Sequence, residues 1–416
     1  MSHLDALIDA AGPKKLLAID GGGIRGLIAI ECLAKVETVL RTTLGRELVL
    51  ADYFDYVAGT STGAIIAALI ALGYSAEEIR RFYVEGARMM FEPANVFQRL
   101  ARRSKGPLAF VFGAIGVIFM NPAIFTPARL SQAIMEKCGE LTTLGSKRLR
   151  TLLMIVMRNV STDSPWWISN NPRAKYNVGY PGDDGRPCTN LEIPLWKLIR
   201  SSTAAPIFFP PEAIDVPGVK TPFIFQDGGV TVHNNPAFQL FLMATLPEYR
   251  LMWPPGEQNL LLVSVGTGTC ESEKLDLQVR QMKLLFNAQE LPGALMRSAT
   301  NEQDLLCRVF GRQRPWCDVP IWDSEIGNLV DNEFPVSEKF FTYLRYNVEL
   351  SQRGLKKLGL FDNQRTPPGI DPKSLQPIDS TDHIGDLQTV GRAAAECISA
   401  SDFEGFLDPV ALHQGS

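Results

Sequence analysis

Three short motifs and four histidines hold most of the reactive potential of this 416-residue chain. Gly59-Thr60-Ser61-Thr62-Gly63 has the G-x-S-x-G pattern. Its glycines permit a turn tight enough to expose a serine hydroxyl at the start of a helix, where negative charge is favoured. Tyr56-Val57-Ala58 reads as a short strand before it, and Ala64 to Leu72 as an apolar helix that stops at Gly73. That context makes Ser61 a candidate nucleophile, against the plainer reading of a structural turn. The second motif, Asp20-Gly21-Gly22-Gly23-Ile24-Arg25-Gly26, also follows a strand-like run. Consecutive glycines let backbone N–H groups converge on an anion, and the next helix adds its positive end. An oxyanion loop, a dinucleotide loop and a ligand-free turn all fit it. The dinucleotide reading takes Gly21, Gly23 and Gly26 as G-x-G-x-x-G, but needs an acidic residue closing a second strand about 20 positions on. The stretch Arg41 to Asp52 looks instead like a helix end and loop. No Lys-Ser or Lys-Thr follows the glycines, so a P-loop is not indicated.

A serine nucleophile needs a base. The histidines are His3, His233, His383 and His413. The first and last lie near the chain ends, so a Ser-His-Asp triad would have to use His233 or His383. His383 sits in a polar loop beside Asp382, and His233 lies six residues beyond Asp227. The other candidate is Asp227 itself, in Gln226-Asp227-Gly228-Gly229 at the end of the apolar run Phe223-Ile224-Phe225. There a carboxylate would stand at a sheet edge with little steric cover. A turn-forming aspartate is the competing reading.

The elements that must position these groups alternate between two kinds. Lys14 to Ile19, Leu152 to Val156 and Leu260 to Val265 read as buried strands. Leu27 to Arg41 is periodic as a helix, with Glu31 and Lys35 as an i,i+4 pair. Ser75-Ala76-Glu77-Glu78 is a capping box opening another helix. Asn235-Pro236 predicts a cap and first turn for a helix through Leu246. Short buried strands alternating with helices predict an α/β three-layer sandwich with a mostly parallel central sheet. After about residue 275 the pattern turns helical and irregular.

With 41 basic and 45 acidic residues and 45% apolar content, the chain is expected to be globular, and the net charge of −4 argues against a nucleic-acid polymer as partner. The seven cysteines form no C-x-x-C and are expected to be free thiols. No signal-peptide pattern opens the sequence, so a cytoplasmic location is expected. The segment from Gly106 to Ala128 carries no charge, and Arg102, Arg103 and Lys105 precede it. Its apolar centre, Pro107 to Met120, is shorter than the roughly 20 residues a membrane-spanning helix needs. A buried core element or a membrane-dipping lid fits it better.

Taken in order, the glycine loop, the Ser61 pentapeptide and Asp227-Gly228-Gly229 resemble the patatin-like phospholipase family. Ser201-Ser-Thr-Ala-Ala-Pro-Ile-Phe-Phe-Pro-Pro211 and Ser264-Val-Gly-Thr-Gly268 add to the likeness, as does Tyr343-Leu-Arg-Tyr-Asn-Val-Glu-Leu350 in the tail. The resemblance implies a catalytic domain over residues 14–270 with a hydrophobic insert near 106–128, and a C-terminal extension over 271–416. It implies a lipid acyl hydrolase of phospholipase A type, with a Ser61–Asp227 dyad, an acyl-enzyme and no histidine. The oxyanion would be bound by Gly22 and Gly23, with Arg25 shaping or charging their loop. No cofactor or metal is implied. The partner would be a membrane phospholipid at the inner membrane surface. Similarity to bacterial members that act as antiphage effectors adds a cyclic-nucleotide activator, and a homo-oligomer stays open.

Overall fold

The computed structural model describes residues 2–90, 123–183, 185–269, 277–281, 284–314, 329, 333–361 and 369–407. Most of the charge-free segment, residues 106–122, lies outside these. The strands are β1 (Lys14–Ile19), β2 (Tyr56–Thr60), β3 (Leu152–Asn159), β4 (Ser164–Ser169), β5 (Tyr180–Pro181), β6 (Pro187–Cys188), β7 (Glu212–Ile214), β8 (Phe223–Asp227), β9 (Leu260–Val265), β10 (Arg312–Gln313) and β11 (Thr342–Tyr346). All but the β5–β6 ribbon join one sheet in the order β10-β11-β9-β1-β2-β3-β8-β7, with β4 also paired to β3. From β10 through β3 the pairs are parallel, while β4, β8 and β7 run antiparallel.

Side-chain alternation along the strands divides the core in two. Leu17 and Ile19 of β1, Val57 of β2 and Leu153, Ile155 and Met157 of β3 face one layer. Leu16, Ala18, Tyr56, Ala58, Leu152, Met154 and Val156 face the other. Strands buried on both faces are what a parallel sheet between two helical layers requires. The first layer is built by α1 (Gly26–Leu44), α2 (Thr62–Ala71), α3 (Ala76–Met90), α4 (Leu195–Ser202) and, from the tail, the later helix Ile384–Ala395. The second is built around α5 (Ala237–Thr245), flanked by α6 (Leu284–Phe310). The three-layer α/β sandwich is therefore the architecture found.

Local chemistry explains most element ends. The Ser75–Glu78 box forms, with the Ser75 N–H donating to Glu78 Oε2 at 2.8 Å and the Glu78 N–H to Ser75 Oγ at 3.3 Å. Asn235 caps α5 by accepting the Ala237 N–H at 3.0 Å, so the helix begins one residue later than predicted. The Glu31–Lys35 pair does not form. Glu31 is buried and binds Arg80 of α3 at 2.7 Å, and Lys35 reaches Glu396 at 3.8 Å. Packing of α1 against the core overrides the i,i+4 arrangement.

The tail is more than a helical extension, since β10 and β11 extend the central sheet beside β9. Arg345 inside β11 breaks the apolar run that would have marked a buried strand. Cys32, Cys138, Cys188 and Cys307 are free, but Cys397 is disulfide-bonded, which corrects the expectation of seven free thiols. No helix among the described residues is long and apolar enough to cross a membrane.

Candidate active site

The C-terminal ends of β1, β2 and β8 meet at one cleft of about 1590 Å³ lined by Gly22, Gly23, Arg25, Ser61 and Asp227. Ser61 follows β2 and caps α2 with φ 55° and ψ −123°, a left-handed backbone unusual for a residue with a side chain. Such a conformation costs on the order of 1–3 kcal/mol and persists only where the surroundings impose it. Here the imposition is visible. A Cβ on Gly59 would lie 2.0 Å from the Gly63 carbonyl oxygen, and one on Gly63 would lie 2.2 Å from that of Ile19. Only glycines let β2 turn this sharply into α2. The result sets the Ser61 hydroxyl at the N-terminus of α2, where the helix favours negative charge.

The Ser61 hydroxyl donates to Asp227 Oδ2 at 2.6 Å. Asp227 is the last residue of β8 and is buried, and its Oδ1 accepts the Gly229 N–H at 2.7 Å. Burial pushes its carboxyl up to about 6, and the Ser61 and Gly229 hydrogen bonds and the Arg200 charge only partly offset that. A carboxylate of this kind is a stronger base than an exposed one and is still ionised at neutral pH.

The glycine loop approaches from β1. Gly23 has φ 60°, and a Cβ there would lie 2.2 Å from the Ile378 carbonyl oxygen, so the position requires glycine. Around it the backbone is engaged: the Gly21 N–H donates to the Asn234 carbonyl at 3.1 Å and the Ile24 N–H to Ile378 at 2.9 Å. The Gly22 and Gly23 N–H groups find no acceptor among the described residues, and both glycines line the cleft with Ser61. Arg25 makes long contacts, 3.4 Å each, to the Gly22 and Gly268 carbonyls, which places it as a brace across the loop.

Among the described residues, His233 and His383 do not join this group. His383 pairs with Asp386 at 3.0 Å and lies outside the cleft. His233 is buried edge-on against Trp167, its Nδ1 has no partner, and burial pulls it down to about 4. The Ser-His-Asp alternative is therefore not assembled. The dinucleotide alternative also loses its requirement, because the second strand closes on Thr60 and Ser61, not on an acidic residue. Among the described residues no cluster of three or more His, Cys, Asp or Glu side chains could hold a metal ion.

Several supporting residues carried no sequence signal of their own role. Ser202 Oγ accepts the Ser61 N–H at 2.9 Å and donates to the Val156 carbonyl at 2.6 Å. Thr267 Oγ1 donates to the Gly21 carbonyl at 2.7 Å. Beneath the glycine loop Arg345 grips Asp20 through both guanidinium nitrogens, at 2.9 and 2.5 Å, and donates to Ser264 Oγ at 2.6 Å. Ser202 and Thr267 fall within the two supporting stretches of the resemblance, so their neighbourhood was marked but not their contacts. Phe208 and Phe209 line the cleft with Ile65, Tyr83 and Leu130, as an apolar channel for a chain would need.

A family model described as patatin-like phospholipase matches residues 17–241, more than half of the 416. Patatin-like protein 1 of Arabidopsis thaliana is 28% identical over 276 residues, covering 62% of this chain and 60% of that protein. A cGAMP-activated phospholipase of Vibrio cholerae is 29% identical over 232 residues, covering 54% of this chain and 56% of its own length. The chain thus spans less than two thirds of the length of either relative. Among solved structures, human GIVD cytosolic phospholipase A2 matches with 12% identity and a TM-score of 0.40, covering 95% of this chain and 63% of that one.

Proposed function

The chain belongs to the patatin-like phospholipase family, and from that premise we propose that it hydrolyses fatty acyl esters of membrane phospholipids through Ser61 and Asp227. The observation that carries this reading is the 2.6 Å hydrogen bond from the Ser61 hydroxyl to Asp227 at the floor of an apolar cleft. Ser61 Oγ attacks the ester carbonyl carbon as its proton passes to Asp227 Oδ2. The carbonyl oxygen, now an anion, is held by the Gly22 and Gly23 N–H groups and the N-terminus of α2, while Arg25 keeps that loop in shape. Donors of this kind are each worth about 3 kcal/mol. Collapse breaks the ester C–O bond, and Asp227 returns its proton to the departing lysolipid oxygen. Asp227 then takes a proton from water, whose oxygen attacks the acyl carbon; collapse breaks the acyl C–Oγ bond, Asp227 returns the proton to Ser61 Oγ, and the fatty acid leaves. The weakness of aspartate as a base is relieved by the burial that raises its pKa.

The reaction would take place in the cytoplasm at the inner membrane surface. A second reading adds a cyclic-nucleotide switch, supported by the likeness to the Vibrio cholerae enzyme. Phospholipid vesicles incubated with pure protein, with and without a panel of cyclic di- and trinucleotides, test both. Fatty acid release is expected from the native chain and not from Ser61→Ala or Asp227→Asn. Release by either variant at the native rate sinks the dyad, and equal rates with and without every nucleotide remove the switch.

A further inference from the structure

Isolated apolar side chains on a protein surface are ordinary. At the mouth of this cleft they are not isolated. Ile207, Val232 and Leu295 are 55%, 56% and 67% exposed, and all three border the cleft that holds Ser61. They come from three different elements: the loop after α4, the turn after Asp227, and α6. Ile207 carries a second cost, because its φ of 76° is left-handed, where a β-branched side chain is disfavoured. Its carbonyl is fixed by the Ile124 N–H at 2.9 Å, so the backbone is held in a state that turns the side chain out. Neither the exposure nor the strain stabilises the fold. Strain retained at such a position points to function.

The same rim also carries a cation without a partner among the described residues. Arg297 stands two residues beyond Leu295 on α6, borders the cleft, and has no hydrogen-bond or ion-pair partner among the described residues. The acidic groups on the rim are the exposed Glu302 and Asp163, and Asp163 is already held by Arg158 at 2.7 Å. Exposed apolar groups and an unpaired guanidinium bordering one cleft match a lipid interface, where hydrocarbon and phosphate lie within a few ångströms of each other.

We propose that Ile207, Val232 and Leu295, together with Arg297, form the rim by which this cleft seats on a lipid surface carrying anionic head groups. The inference rests on the hydrolase reading for its purpose but can be tested apart from it. Docking is measured in the Ser61→Ala protein by co-sedimentation with phosphatidylcholine vesicles, with and without phosphatidylglycerol. Adding Ile207→Asn, Val232→Ser and Leu295→Ser should weaken binding to both kinds of vesicle by about tenfold or more. Asparagine is chosen at 207 because it tolerates the left-handed backbone. Arg297→Gln should remove most of the preference for phosphatidylglycerol, about fivefold at low salt, and the loss should shrink as salt rises. With Ser61 restored, the triple variant should hydrolyse a soluble short-chain ester within about twofold of the parent rate while losing activity on vesicles. Undiminished vesicle binding by the triple variant, or equal losses on soluble and vesicular esters, overturns the rim. If docking depends on the rim but no ester is ever cleaved, the hydrolase reading fails and the rim stands.

Discussion

The two halves of the candidate site are built differently. The half that would bear the reacting groups, Ser61 and Asp227 with Ser202 in support, comes wholly from the stretch matched by the family model, and Ser61 bonds both of the others directly. The half that would hold the oxyanion begins in that stretch, at Asp20 to Gly26, but is held from outside it. Thr267, Arg345 and Ile378 all lie beyond residue 241 and each bonds the loop or the residue before it. The first half is drawn from residues 61 to 227 and is strained in backbone at Ser61. The second is relaxed, except at its glycine, and depends on a tail that extends the sheet. A fragment ending near residue 241 would carry Ser61 and Asp227 and keep the Asn234 contact to the loop, but lose those from Thr267, Arg345 and Ile378.

The largest effect should come from breaking the second half. Arg345→Met leaves Asp20 buried without its cation, which should cost about 3–5 kcal/mol in chemical denaturation and remove activity with it. Asp227→Asn should remove activity equally but act on stability in the opposite direction. A carboxyl raised from 3.8 to about 6 is bound more tightly to its proton in the folded state, so its ionisation above pH 6 opposes folding by about 3 kcal/mol. Asparagine escapes that cost, and the variant should be more stable at pH 7. If it is less stable, the contrast between the halves is wrong.

The pH dependence sharpens the same point. Wild-type kcat/KM should fall as pH drops through about 6, where Asp227 takes up its proton. In stability two buried groups oppose each other. Asp227 makes the fold gain stability as pH falls from about 6 toward 4. His233, pulled down from 6.5 to about 4, makes it lose about 3 kcal/mol over the same range. The wild-type profile from these two should be nearly flat there, and Asp227→Asn should uncover a clear acid loss in urea titrations at pH 4.5 to 7.

Smaller effects are expected from Ser202→Ala, which leaves the Ser61 N–H and the Val156 carbonyl without their partner. A loss of about 1–2 kcal/mol in stability and about tenfold in kcat, with KM little changed, would fit a positioning role. Smallest of all, His383→Ala should keep hydrolysis within about twofold, because its imidazole is engaged with Asp386 away from the cleft. A loss of a hundredfold there would move the proton acceptor from a carboxylate to an imidazole.

The reacting half was legible in sequence because its constraints are local. G-x-S-x-G between a strand and an apolar helix specifies a turn that only glycines allow, and Gly59 and Gly63 each face a carbonyl at a distance no side chain could tolerate. The tail was less legible for physical reasons. A buried strand is read from an unbroken apolar run, and Thr342–Tyr346 carries Arg345 as its fourth residue. That arginine is buried because Asp20, 325 positions earlier, neutralises it. No window on the sequence spans such a pairing. The cysteines failed in the same way: spacing excludes a C-x-x-C but says nothing about a bond between distant segments, and Cys397 has one. The Glu31–Lys35 pair was predicted from helix geometry alone, and tertiary packing sent each partner elsewhere.

The end of β3 gives the site a common reference mark. The Val156 carbonyl receives the Ser202 hydroxyl that steadies the Ser61 backbone, and its neighbour Met157 is paired in register with Asp227. Displacements of this strand are therefore common-mode: they carry nucleophile and base together and leave the distance between them unchanged. Motion of β3 as a body would reach both groups together, whereas relative motion between β2 and β8 would separate them. If the chain works at a bilayer as proposed, the surface could move the whole site without opening the bond between Ser61 and Asp227.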